Sequence, residues 1–210
     1  LHYPLRRQRQ MCIRDRRTIM TNIYEDSNWL LNMVENLLSV TRIQGDSLSI
    51  NTTEEPVEEV VGEALEKLKK RYPDAAIRVK IPEEFLMIPM DAVLIEQVTI
   101  NLLENAIVHS GSILPIDFIV EDHPEHVSFI VRDYGKGLSE EKLQNLFETG
   151  TYNNSRSSDS RKGMGIGLSI CKTIITAHHG TLNGRNHAEG AEFCFTLPKN
   201  TGKDMDHRNE

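Results

Sequence analysis

The chain has 210 residues, enough for one sizeable domain with an appendage or for two small ones. Hydrophobic residues make up 39% and charged residues 26%; 24 basic against 31 acidic residues leave a net charge of -7, which argues against nucleic acid as the main partner. Three cysteines, Cys12, Cys171 and Cys194, are odd in number and unpaired in spacing, so neither a disulfide framework nor a zinc site is indicated and a reducing, cytoplasmic setting fits best.

Residues 1–17, LHYPLRRQRQMCIRDRR, are Arg-rich and aperiodic, and they read as a non-native or disordered leader. From Thr18 to about Gln44 the pattern is helical, with Ile23, Leu30, Val34, Leu37 and Thr41 along one seam and Gly45 placed as a C-cap. One amphipathic helix cannot bury its stripe alone, so this one calls for a partner helix in the same chain or in a second copy. SLSINTTEEPV reads as a short strand and a loop. Val57 to Tyr72 reads as a second amphipathic helix, opening with acids and closing with Lys67, Lys69, Lys70 and Arg71 in accord with the helix dipole. AAIRVKI and FLMIP read as strands, and Asp91 starts a long helix. LPIDFIVE and HVSFIVRD read as paired strands joined by DHPE, and a short helix follows around Glu140 to Leu146.

The segment ETGTYNNSRSSDSRKGMG is polar and serine-rich without apolar period, as a functional lid or a disordered loop would be. A helix is expected from about Ile166 to His179, capped by Gly180, and then two strands, TLNGRN and AEFCFTLP. Residues 199–210 read as a disordered tail. No apolar run approaches the ~18 residues needed to span a bilayer. The fold class expected is α+β: a two-layer sandwich of a mixed, mostly antiparallel sheet covered by helices, preceded by one long bundle helix.

Three constellations carry chemistry. NLLENAIVHS keeps Asn101, Glu104 and Asn105 on a packed-looking helix, although a buried amide without a partner costs about 1–3 kcal/mol. A ligand facing that helix would supply the partners; a solvated polar face would need none. A side-chain carbonyl such as that of Asn105 suits Mg²⁺. Asn101 is then placed to hold a phosphate or a water, and Glu104 either to polarise a nucleophile or to sit in a salt bridge. DYGKG puts Asp133, Gly135 and Gly137 just after a strand. The spacing alone fits a plain glycine-rich turn; as a site, a carboxylate there would accept from an adenine amino group and repel a guanine carbonyl, while glycines would let backbone approach a flat ring. GMGIGLSIC alternates Gly163, Gly165 and Gly167 before a helix, where backbone N–H groups can converge on phosphate or where the glycines can act as a hinge.

Together, Asn-x-x-x-Asn on a helix, DxGxG after a strand, a polar segment and GxGxG before a helix resemble the ATP-binding domain of sensor histidine kinases over residues 53–198. NLLENAIVHS resembles the family's asparagine box, RDYGKGLS its first glycine box, LFETGTY its phenylalanine box and RKGMGIGLSIC its second glycine box. The resemblance implies Mg²⁺ and ATP as cofactors, with Asp133 on adenine, Asn105 on Mg²⁺, and Asn101, Gly163, Gly165 and Gly167 around the triphosphate. It counts His109, Gly135 and Gly137 among the nucleotide-binding residues. Phe147 would anchor the lid, Arg161 or Lys162 would reach the γ-phosphate, and Leu168 would pack beneath the nucleotide. Glu104 and Asn105 are the catalytic candidates.

Residues 18–45 are similar to the second helix of the family's dimerisation hairpin, in wording close to KdpD-type sensors. That likeness implies a homodimer in the intact parent, a response regulator as partner, and membrane attachment only through other parts of the parent. Two departures stand out. Val108 replaces a basic residue that many relatives carry near the phosphates, and none of the eight histidines fits the phosphoacceptor pattern. The expectation is therefore a C-terminal kinase fragment without its substrate histidine. The alternatives are an ATP-binding module, or a related ATPase or anti-sigma-factor-type serine kinase.

Overall fold

The computed structural model describes residues 50–144, 146–147, 166–187 and 189–200, together with residues 19, 20, 23, 27 and 34. The chain divides into two units, Leu1–Ser39 and Val40–Glu210. In the first, Ile19, Met20, Ile23, Ser27 and Val34 are helical, and the Ser27 hydroxyl donates to the Ile23 carbonyl at 2.7 Å. Ile23 and Val34, two members of the expected seam, are exposed at 59% and 52%. Exposed apolar side chains at these two described positions are what a helix awaiting a partner presents.

The second unit contains β1 (Thr53–Pro56), α1 (Val57–Arg71), β2 (Ile77–Lys80), β3 (Met87–Met90), α2 (Ala92–His109), β4 (Ile116–Asp122), β5 (His126–Arg132), α3 (Glu140–Gln144), α4 (Ile166–Ala177), β6 (Thr181–His187) and β7 (Gly190–Pro198). Five strands form one mixed sheet in the order β2-β4-β5-β7-β6. Only β2 and β4 run parallel, and β3 with α2 supplies the crossover that parallel pairing requires. The strands β1 and β3 stand apart as a two-stranded antiparallel ribbon, in which Glu54 faces Pro89. Proline cannot donate to a ladder, which suits this short ribbon better than a central strand.

Strand alternation builds the core. Phe118 and Val120 of β4, Val127, Phe129 and Val131 of β5, and Phe193, Phe195 and Leu197 of β7 are all buried. The rings of Phe129 and Phe195 stack at 4.5 Å. Above this face lie α2, through Leu94, Ile95, Val98 and Leu102, and α4, through Cys171, Ile174 and Ile175. Helix α1 packs on α2, and two ion pairs join them, Lys67 to Glu96 at 2.6 Å and Arg71 to Glu104 at 2.5 Å.

The opposite face carries a row of alternating charge. Arg78, Asp117, Arg132, Glu192 and Arg185 are successive cross-strand neighbours over all five strands. Glu192, 3% exposed, accepts from Arg132 Nε at 2.8 Å and from Arg185 Nε at 2.6 Å. Burial alone would raise its carboxyl, but the two guanidiniums outweigh burial and hold it below the ordinary carboxylate range. Asp117 is likewise lowered, as hydrogen bonds from Tyr134 and Arg78 outweigh its burial.

One cap differs from expectation. The left-handed residue that ends α4 is His179, at φ 60°, and not Gly180. Gly180 is required for another reason. Its N–H donates to the Ile175 carbonyl at 2.9 Å, and a Cβ there would lie 2.0 Å from the Thr196 carbonyl oxygen.

Candidate functional site

Helix α2 starts cleanly because the Asp91 carboxylate caps it, accepting from the Leu94 N–H at 3.1 Å. The Asp91 N–H in turn donates to Nε2 of the buried His178, whose Nδ1 donates to the Ile174 carbonyl at 2.8 Å. This neutral imidazole ties the start of α2 to the end of α4. Burial pushes its pKa down, partly offset by the Ile174 hydrogen bond and the Asp91 charge and reinforced by His179.

The polar residues of α2 separate by direction. At about 100° per residue, Asn105 and His109 form one row while Glu104 lies far round the helix. Asn105, His109 and the C-cap Ser110 line a cavity. Glu104 instead turns to α1 and meets Arg71. Asn101 turns to α4, where its Nδ2 donates to Cys171 Sγ at 3.8 Å. The Cys171 thiol is fully buried and pushed up to about 12, so it acts as a neutral packing group.

The facing wall comes from the turn after β5. Asp133 is 6% exposed and held from several sides. Its N–H donates to the Ala191 carbonyl at 2.9 Å, and its Oδ1 accepts from the Gly135 N–H at 2.8 Å. Its carbonyl accepts from His187 Nε2 at 2.7 Å. Asp133 lines the cavity together with Lys136, Gly137 and Leu138 of the same turn. Leu168 of α4, Lys142 of α3, and Ala191 and Phe193 of β7 complete the lining.

Of the residues expected at the site, Asn105, His109, Asp133, Gly137 and Leu168 converge on this one cavity. At Gly135 a Cβ would lie 2.1 Å from the Ser110 carbonyl oxygen, so its hydrogen allows the turn to touch the end of α2. Gly167 lies in the first turn of α4 with open space where a Cβ would point. Phe147 is partly buried against the core, with Lys172 Nζ 5.6 Å from its ring centre. Arg161, Lys162, Gly163 and Gly165 lie outside the described residues.

Sequence reasoning missed Lys136, Lys142, Ser110, Leu138, Ala191 and Phe193. Of the two lysines, Lys136 carried a usable signal, since a cation inside DYGKG suits an anionic ligand. Ala191 and Phe193 carried none, because only the β5–β7 register brings them to Asp133. The lining thus includes an aspartate, an asparagine, a histidine, two lysines and apolar side chains. Such a set suits a ligand with a flat hydrogen-donating part and an anionic part.

Among the described residues no group of three or more acidic, histidine or cysteine side chains could hold a metal ion, and no helix is long and apolar enough to cross a membrane. The donor set still fits Mg²⁺, which is commonly held by one or two protein ligands plus substrate phosphates and water.

Comparison with known proteins places this geometry. Residues 90–201 match the model of the histidine kinase-, DNA gyrase B- and HSP90-like ATPases. The sensor protein KdpD of Clostridium acetobutylicum is 42% identical over 182 residues, which is 86% of this chain and 20% of that protein. The chain spans about one fifth of the length of the curated KdpD relatives it matches. The catalytic domain of histidine kinase ThkA superimposes with a TM-score of 0.62 at 28% identity, covering 71% of this chain and 97% of that one. ThkA in complex with the response regulator protein TrrA superimposes with a TM-score of 0.64 at 25% identity, covering 83% and 49%. The α+β sandwich, the cavity between asparagine helix and glycine turn, and these matches agree: the chain belongs to the histidine kinase-, DNA gyrase B- and HSP90-like ATPase family, within which it is similar to the catalytic domains of sensor histidine kinases.

Proposed function

We propose that this chain is the catalytic part of a sensor histidine kinase, which binds Mg·ATP in the cavity between Asn105 and Asp133 and transfers the γ-phosphoryl to a histidine on a bundle helix. From there the phosphoryl passes to an aspartate of a response regulator. The observation that carries the reading is that Asn105 and Asp133, on separate elements, line the same cavity. The ThkA–TrrA complex supports the regulator as partner.

In this reading Asp133 accepts from the exocyclic amino group of adenine, and its fixed carboxylate repels the carbonyl that guanine presents at the same place. Leu168 and Phe193 supply apolar walls for the base. Asn105 offers its side-chain oxygen to Mg²⁺, and the ion supplies neutralisation of phosphate charge. Lys136 and Lys142 add positive charge from the rim, in a chain that has Val108 where many relatives carry a basic residue. By resemblance, Gly163, Gly165 and Gly167 attend the triphosphate, Arg161 or Lys162 the γ-phosphate, and Phe147 the start of the lid. Catalysis is then positioning and charge stabilisation. Glu104 polarises the nucleophile only if its Arg71 partner releases it.

Residues 18–45 would be the second hairpin helix and would dimerise with a second copy, and residues 53–198 the ATP-binding domain. The exposed Ile23 and Val34 support the first assignment. Five of the six described histidines have positions that argue against phosphoryl acceptance, and the sixth, His179, exposed at the left-handed end of α4, stands outside residues 18–45. His178 is buried, His187 is bonded to Asp133, His123 and His126 stack on each other at a strand turn, and His109 faces the cavity. In this reading, as the resemblance implies, the acceptor histidine is supplied by another helix.

The test is phosphotransfer from γ-labelled ATP. The chain alone should stay unlabelled, and a supplied hairpin with its histidine should acquire acid-labile phosphate that a regulator then removes. Acid-labile phosphate on the chain alone would overturn the placement of the acceptor. ATP hydrolysis with no transfer to any histidine would favour a plain ATPase.

A further inference from the structure

The turn from Asp133 to Leu138 forms one wall of the cavity, yet it belongs to no helix or strand and needs an external support. That support comes from the β6–β7 hairpin. Asn186 donates from Nδ2 to the Leu138 carbonyl at 2.7 Å and accepts at Oδ1 from the Leu138 N–H at 2.7 Å. Its neighbour His187 donates from Nε2 to the Asp133 carbonyl at 2.7 Å. Two consecutive side chains thus hold the first and last residues of the turn.

The glycines on both sides fit this grip. Gly137 has φ 68°, and a Cβ there would come 2.9 Å from Asn186 Oδ1. A Cβ on Gly190 would lie 2.2 Å from the Asp133 carbonyl oxygen and 2.8 Å from its Oδ1. Only with both side chains absent can hairpin and turn come this close. Asn186 itself is exposed and fills no core position. Its two bonds therefore act on the turn and not on the packing of the sheet.

We propose that Asn186 is a positioning residue for base recognition: through it the β6–β7 hairpin clasps the Asp133–Leu138 turn, and the clasp fixes the aim of the Asp133 carboxylate and so the preference for adenine. The proposal rests on reading the cavity as an adenine-nucleotide site. Asn186 touches no ligand; it acts through the backbone of Leu138, while Asp133 makes the contact.

The experiment is titration of the full chain and of Asn186→Ala and Asn186→Asp with ATP, GTP and adenosine. Asn186→Ala removes both bonds and should weaken ATP and adenosine by a similar factor, about tenfold, while GTP changes little. The ATP-over-GTP ratio then narrows. Asn186→Asp keeps the acceptor for the Leu138 N–H and sets a carboxylate against the Leu138 carbonyl, so it should narrow the ratio at least in part. An unfolded fraction lowers the apparent affinity for every ligand by the same factor, so the ratio reports the clasp even in a destabilised variant. A ratio equal to that of the unmodified chain, or a loss for ATP that adenosine does not share, overturns the proposal. If the unmodified chain shows no adenine preference, the nucleotide reading falls first and takes the clasp with it.

Discussion

Replacing Gly135 by alanine tests whether the first glycine turn is set by protein contact rather than by ligand approach. The added Cβ would sit 2.1 Å from the Ser110 carbonyl oxygen and 2.6 Å from the Ser110 Cα and carbonyl carbon. All three are backbone atoms, so no side chain can rotate away. Restoring ordinary contact near 3.4 Å requires the turn and the end of α2 to part by about 1 Å, at a cost of about 1–3 kcal/mol. Those two segments are opposite walls of the cavity, with Asp133 and Gly137 on one and Asn105, His109 and Ser110 on the other. A displacement of that size can cost up to about a hundredfold in productive binding. Urea unfolding and titration with an ATP analogue read the two effects separately. Gly62→Ala is the matched control: it lies inside α1 with no atom within 4 Å of the new Cβ, and should stabilise by about 0.5–1 kcal/mol without altering affinity. Unchanged stability and an affinity within about twofold for Gly135→Ala would refute the reasoning.

Three further outcomes are expected. Glu192→Gln removes the shared anion between Arg132 and Arg185 on the outer sheet face, and should destabilise by about 2 kcal/mol in chemical denaturation, below the full penalty for a broken buried pair because both arginines reach solvent. The folded chain resists protonating His178, whereas the unfolded chain takes up that proton near pH 6.5; stability from this group is therefore complete above pH 6.5 and declines as pH falls below it, and thermal melts of His178→Gln should show a flatter decline across that window. Asn105→Ala should leave urea unfolding within about 0.5 kcal/mol of the parent while Mg²⁺-dependent ATP binding falls by tenfold or more; a loss of folding would assign Asn105 a structural role instead.

What the sequence revealed, and what it hid, follows from range. The Ala92–His109 helix, the alternating β4 strand, the largely apolar β5 strand and the Asp91 cap all rest on contacts within a few residues, and they are visible in spacing alone. The family resemblance then placed Asn105 and Asp133 in one site, a pairing across 28 positions that periodicity cannot supply. Asn101 and Glu104 share a helix with Asn105, and spacing leaves open whether they meet a ligand or a protein partner. Their directions, and the presence of Cys171 and Arg71 to meet them, depend on how α4 and α1 pack. The row from Arg78 to Arg185 was illegible for a similar reason: its five members scatter over more than a hundred positions and become neighbours only through register. Gly135 has a further reason that spacing does not show, the closeness of the Ser110 backbone.

The most direct measurement is calorimetric titration of the chain with ATP and with GTP, each with and without Mg²⁺. The Asp133–Asn105 cavity predicts ATP binding at least about tenfold tighter than GTP, strengthened by Mg²⁺, with the Mg²⁺ dependence lost in Asn105→Ala. Equal affinity for the two nucleotides, or no binding of either, would contradict it.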